Sequence, residues 1–107
     1  MTESEFLERA EKTLRASERA VDATGADIES ARSGNVLTLE LGDGSKVVIN
    51  SQAPMQQIWV AARSGARHFA AQGDAWIDTR DGSELFAVLS RLISAEGDEA
   101  VLLRPAS

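Results

Sequence analysis

The stretch NVLTLELGDGSKVVIN, residues 35–50, decides the fold. Leu37, Leu39 and Leu41 stand at alternate positions, Gly42-Asp43-Gly44-Ser45 interrupts them, and Val47 and Ile49 resume the alternation. Successive side chains on a strand point to opposite faces, so the two runs are half-buried strands and GDGS is the hairpin turn between them. Similar short runs lie on both sides. ADIESAR (26–32) precedes, while QQIWVAA (56–62), RHFAA (67–71) and AWID (75–78) follow, separated by SGN, SQAP, RSG and QGD. Those separators are turn chemistry. Six strands with tight connections read as an antiparallel meander, and a sheet with one apolar face needs a cover.

The cover comes from the two ends of the chain. From Glu3 to Asp22, Phe6, Ala10, Leu14 and Val21 form one helical stripe in which the small Ser17 fills the gap. Ser4 is positioned to cap this helix and ATG at 23–25 to stop it. After the last strand, Asp81 or Ser83 is positioned to cap a second helix with Leu85, Phe86, Val88, Leu89, Leu92 and Ile93 on its apolar side. It should end near Glu96-Gly97, with Val101-Leu102-Leu103 tucked against the helices and Pro105 ending regular structure. The expected fold class is α+β: one domain over 1–107, a two-layer sandwich whose antiparallel meander is covered on one face by the N-terminal and C-terminal helices.

Composition narrows the function. A chain of 107 residues buries roughly two thirds of its unfolded surface, enough for one core. With 17 acidic against 11 basic side chains the net charge is -6, which repels phosphate backbones and leaves a cation or a basic protein surface as the matching partner. No cysteine is present, so disulfides, thiolate metal sites and cysteine nucleophiles are excluded. No apolar run reaches the roughly 20 residues of a membrane span, and the acidic, helix-periodic N-terminus resembles no signal or transit peptide. The expectation is a cytoplasmic monomer that binds neither nucleic acid nor membrane. His68 is the single histidine, and no glycine-rich phosphate loop precedes a lysine-bearing helix.

Two constellations remain. Residues 1–31 carry eight acids and four bases. Glu5–Arg9, Glu8–Lys12 and Glu11–Arg15 have the i,i+4 spacing of surface ion pairs. Glu18 and Asp22 share a helix face with no base four residues on, and Asp27 and Glu29 share a side of the first strand. If helix end and strand start adjoin, these four carboxylates gather with little compensation, as oxygen ligands for a hard cation. The alternative is a solvated acidic surface. On the open sheet face, alternation turns Gln57 and Trp59 outward, with Asn50 on the preceding strand and His68 on the following one beside them. An outward tryptophan among amides suits the anchor of a protein interface. Two other readings stand: Trp59 shields the sheet backbone, or the register is one residue off.

The motif N-x-Q-x-P-x-x-Q-I-W at 50–59, with NVLTLEL and GSKVVIN before it and HF and GDAWI after it, resembles the frataxin family, in particular its bacterial branch. SEFLERAEKTL and the last helix fall where that family has its helices, so the resemblance spans the chain. It implies a frataxin-like fold and a role in iron–sulfur cluster assembly. It further implies ferrous or ferric iron bound by surface carboxylates, and contacts with the cysteine desulfurase and the iron–sulfur cluster scaffold protein. By matching position, the implied metal residues are Glu11, Glu18, Asp22, Asp27 and Glu29, and the implied partner-binding residues Asn50, Gln57 and Trp59. His68 joins the latter through its expected place beside Trp59. The family's run of consecutive acids is interrupted here by Arg19, Ala20 and Ala23, which implies weak iron binding. The expected function is a non-enzymatic iron-binding regulator or adaptor of the desulfurase–scaffold complex, with iron donation or sensing as its use of the metal. The alternatives are an acidic interaction domain without metal and a ferroxidase-type enzyme.

Overall fold

A computed structural model describes residues 1–96 and Leu103. Helix α1 (Glu3–Thr24) is followed by β1 (Ile28–Ser33), β2 (Val36–Leu41), β3 (Lys46–Gln52), a 3₁₀ turn (Ala53–Met55), β4 (Gln57–Ala62), β5 (Gly65–Gln72), β6 (Ala75–Asp78) and helix α2 (Leu85–Glu96). The strands form one sheet in chain order, every neighbouring pair antiparallel. Both helices cover one face, so the two-layer α+β expectation holds. Val101, Leu102 and Pro105 lie outside the described residues.

The period-two pattern places the core. Leu37, Ile49 and Val60 stand opposite one another across β2, β3 and β4, as do Ser51, Ile58, Phe69 and Asp78 across β3 to β6. Against this face α1 lays Phe6, Ala10, Leu14 and Val21, all 2% exposed or less, and α2 lays Leu85, Leu89 and Ile93. Trp76 joins the layers: its ring meets Phe6 edge-on at 5.9 Å and its indole N–H donates to Thr13 Oγ1 at 2.8 Å. Burying each large side chain contributes about 1.5–3 kcal/mol, which makes this face the main source of stability.

The helix ends differ from expectation. Ser4 lies inside the first turn of α1; Thr2 is the cap, its hydroxyl accepting from the Glu5 N–H while the Glu5 carboxylate accepts from the Thr2 N–H. Glu5 is held in this reciprocal box, and no Glu5–Arg9 pair stands among the described ion pairs. Arg9 instead donates to the Gly73 carbonyl at 2.8 Å and lies over the Trp76 ring. Gly25 ends the helix as expected, at φ +68°. At α2, neither Asp81 nor Ser83 is the cap. Glu84 reaches further, its carboxylate accepting from the Phe86 and Ala87 N–H groups. Asp81 closes the preceding turn by accepting from the Ser83 N–H.

One polar group in the core layer completes the β6–α2 connection. The Asp78 side chain is 1% exposed and accepts from Arg67 Nη1 at 3.0 Å and from the Arg80 N–H at 2.7 Å. The hydrogen bond it donates to Asp78, then that to Asp81, holds the Arg67 guanidinium above its ordinary pKa against the opposing pull of burial. At the far end of the layer, Leu103 is buried, and its N–H donates to the Ser90 hydroxyl at 2.8 Å. The expected docking of the tail is met at that residue.

Candidate functional site: an aromatic row and an acidic ridge

The outer sheet face is built by the register. Asn50 stands opposite Trp59, and Trp59 opposite His68, in one row across β3, β4 and β5. The tight RSG turn fixes this pairing, and the 3₁₀ turn after β3 fixes where β4 begins. Gln56 ends that turn in the left-handed region at φ +51°, and its side-chain amide donates to the Met1 carbonyl at 2.9 Å. Ile58 and Val60 are therefore buried while Gln57 and Trp59 face away from the helices.

The Trp59 indole and His68 imidazole stack with centroids 4.2 Å apart and planes 12° apart. Trp59 Nε1 donates to Gln57 Oε1 at 2.9 Å, and the Gln52 amide donates to Asn50 Oδ1. Trp59 is thus half-buried, held by neighbours rather than free to swing. Of the readings left open, the register slip is ruled out. All four expected residues, Asn50, Gln57, Trp59 and His68, belong to one polar–aromatic surface that neither helix covers.

The ridge is organised differently from expectation. Arg32 stands in the core-side phase of β1 with Ile28 and Ser30, opposite Leu37, and its guanidinium reaches up to α1. It donates through Nη1 to Glu18 at 2.9 Å, through Nη2 to Glu11, and through Nε to the Gly34 carbonyl at 2.8 Å. Glu11 also accepts from Arg15 at 3.0 Å, the expected helix pair, whereas Glu8 and Lys12 form none among the described ion pairs. The Arg32 hydrogen bond holds the Glu11 carboxyl below its ordinary pKa. Burial alone would lower the Arg32 pKa, but its bonds to Glu18 and Glu11 outweigh that and raise it.

Glu29 stands opposite Glu40, between core-facing Leu39 and Leu41, so it lies on the outer sheet face, away from α1. Asp22 and Asp27 are exposed. The expected gathering of Glu18, Asp22, Asp27 and Glu29 is therefore not formed. Alternation sends Glu29 to the other side, and Arg32 occupies Glu18. Among the described residues no three acidic or histidine side chains converge enough to hold a metal ion. The oxygen donors have the right chemistry for a hard cation, but the arrangement is an open surface rather than a cage. Arg32 is the residue that sequence reasoning missed. Its signal was an arginine on the apolar phase of an edge strand, beside a helix rich in acids.

Comparison with known proteins places the chain in a family. The frataxin-like domain family matches residues 1–99. The chain is 54% identical over 112 residues to an iron-sulfur cluster assembly protein CyaY of Janthinobacterium sp. strain Marseille, covering all of both chains. It is 52% identical to a protein of the same name in Herminiimonas arsenicoxydans, over 99% of each. Among solved structures it superposes on a frataxin from Psychromonas ingrahamii with a TM-score of 0.90 at 33% identity, covering 95% of this chain and 97% of that one. On a ferrous complex of trimeric frataxin from Saccharomyces cerevisiae the TM-score is 0.63 at 30% identity, covering 80% and 79%.

Proposed function

The chain belongs to the frataxin-like family, and from that premise we propose that it serves iron–sulfur cluster assembly as a non-enzymatic adaptor between a cysteine desulfurase and the cluster scaffold. The observation that carries the reading is the Asn50–Trp59–His68 row, uncovered by either helix and stiffened by stacking and by the Gln57 bond. Relatives about half identical over their full length bear the name of cluster assembly proteins, which supports the same reading.

The physical division of labour follows from the two surfaces. A net charge of -6 steers the protein toward a basic patch on the desulfurase. The aromatic row then fixes the docked pose. A stacked Trp–His pair presents rigid area at low entropic cost, as interface anchors do. Iron is cargo or effector in this scheme, held weakly by carboxylates such as Asp22, Asp27 and Glu29, and its presence alters the strength or consequence of docking. The oxygen-only donor set and the single histidine give no preorganised redox site, which supports an adaptor over a ferroxidase. No helix among the described residues is long and apolar enough to cross a membrane; the cytoplasm is the proposed location and the monomer the proposed state.

A second reading, an interaction domain without metal, is favoured by one observation: Arg32 already occupies Glu11 and Glu18. A desulfurase pull-down and rate assay, with and without anaerobic ferrous iron, separates the two. Iron-dependent change in capture or rate supports the first reading, capture indifferent to iron supports the second, and absence of capture rejects both.

A further inference from the structure

The geometry points to Arg32 as a built-in cation that closes the Glu11–Glu18 half of the acidic ridge to metal. This rests on the proposed metal-handling reading of the ridge and divides it into two unequal parts.

All three guanidinium nitrogens are engaged: Nε by the Gly34 carbonyl, Nη1 by Glu18 and Nη2 by Glu11. The Arg32 side chain is only 20% exposed, and the second Glu11 oxygen is taken by Arg15. Glu11 and Glu18, two turns apart on α1, therefore aim one oxygen each at the same point, and a positive charge already stands there. A divalent ion entering must expel the guanidinium, break its bonds to both carboxylates and leave a partly buried cation beside a dication. Like charges at such range are strongly unfavourable, and the fork geometry of arginine is hard for a hydrated metal to match.

The clamp also has a mechanical side. It ties the middle of α1 to the edge strand. Asp22 and Asp27 are exposed and carry no comparable bond among the described residues, and Glu29 lies on the outer sheet face. A divalent cation of the hard class, ferrous iron or its mimic Mn²⁺, is kept by the clamp from the Glu11–Glu18 pair of carboxylates in the native chain. It reaches Glu11 and Glu18 only when Arg32 is withdrawn.

The test uses the full chain and Mn²⁺ alone, followed by paramagnetic broadening of amide NMR signals. In the parent, amides of residues 11 and 18 should broaden only at Mn²⁺ concentrations about tenfold above those that affect them once Arg32 is withdrawn, the scale of one charged hydrogen-bonded pair. In Arg32→Met, which keeps the apolar stem, residues 11 and 18 should become about tenfold more sensitive. Adding Glu18→Gln should cancel that gain. If Arg32→Met fails to fold, Arg32→Lys serves the same comparison, because a single ammonium cannot bridge both carboxylates as the fork does. Equal Mn²⁺ sensitivity of residues 11 and 18 in parent and variant overturns the clamp. The metal-handling reading fails on a different result, a ferrous titration of the parent that leaves residues 22–29 unshifted, so the two failures are distinguishable.

Discussion

The Trp59 indole lies nearly parallel to the His68 imidazole across two strands, at 4.2 Å between ring centres. That contact sits on the sheet face away from the helices, so it stiffens a surface while leaving the core untouched. Removing it should separate stability from binding. Trp59→Ala is expected to lower unfolding free energy by about 1 kcal/mol, the size of an aromatic pair, and to weaken partner capture at least tenfold. Denaturant melts and desulfurase or scaffold pull-downs measure the two effects. A variant that unfolds outright would show that the row bears on the core.

Acid should loosen the α1–β1 edge early. The Glu11 carboxyl is held below its ordinary pKa by its bond from Arg32. A depressed folded pKa means the contribution is whole above the unfolded value, about 4.3, and is lost as pH falls through the folded value. The stability curve should therefore bend down below about pH 4. Glu11 is 44% exposed, so its share is screened to the 0.2–1 kcal/mol range of surface pairs. Arg32→Met should flatten this acid limb in thermal melts between pH 6 and pH 3, and an unchanged limb would assign it to other carboxylates.

Asp78 poses the opposite case, a carboxylate 1% exposed whose side-chain partner is Arg67. Arg67→Met should cost about 3 kcal/mol by leaving that charge uncompensated. Adding Asp78→Asn should recover more than half of the loss, since the amide oxygen still accepts from Arg80 and no buried charge remains. A double variant as unstable as the single one would locate the cost in packing instead.

Ser90 is the clasp for the tail. Its buried hydroxyl donates to the Phe86 carbonyl at 2.7 Å and accepts from the Leu103 N–H. Ser90→Ala should cost about 1–2 kcal/mol for the orphaned N–H, and Leu103→Ala about 2–4 kcal/mol for the emptied site. Combined, they should cost less than the sum, because each releases the other's partner. Urea melts of the three variants read this directly.

Much of this molecule was legible in the sequence because its contacts are local. Leu37, Leu39 and Leu41 alternate within one run, and the turns between strands leave little freedom in register. The Asn50–Trp59–His68 row therefore follows from counting in twos. The ridge was less legible, for three physical reasons. The face that Glu29 adopts depends on its pairing with Glu40. The partner of Glu18 lies fourteen residues away, beyond helix spacing. Cap choice is a contest between neighbours: Thr2 outcompetes Ser4 because Glu5 completes the box, and Glu84 wins over Ser83 by reach.

The Trp76–Thr13 bond spans 63 positions of sequence, whereas each strand pairs with the next in the chain. During synthesis α1 emerges first, yet the tryptophan that meets its Phe6 arrives 70 residues later. At roughly 5–20 residues per second, Phe6 and Thr13 wait about 3–14 seconds for that partner. The sheet can zip up hairpin by hairpin in the meantime and offer α1 part of its cover, but the Phe6 end of the stripe lacks its aromatic partner until β6 leaves the ribosome. The vulnerable interval in the life of this protein is therefore its birth, and substitutions that delay β6 should raise aggregation of nascent chains more than they lower the stability of finished ones.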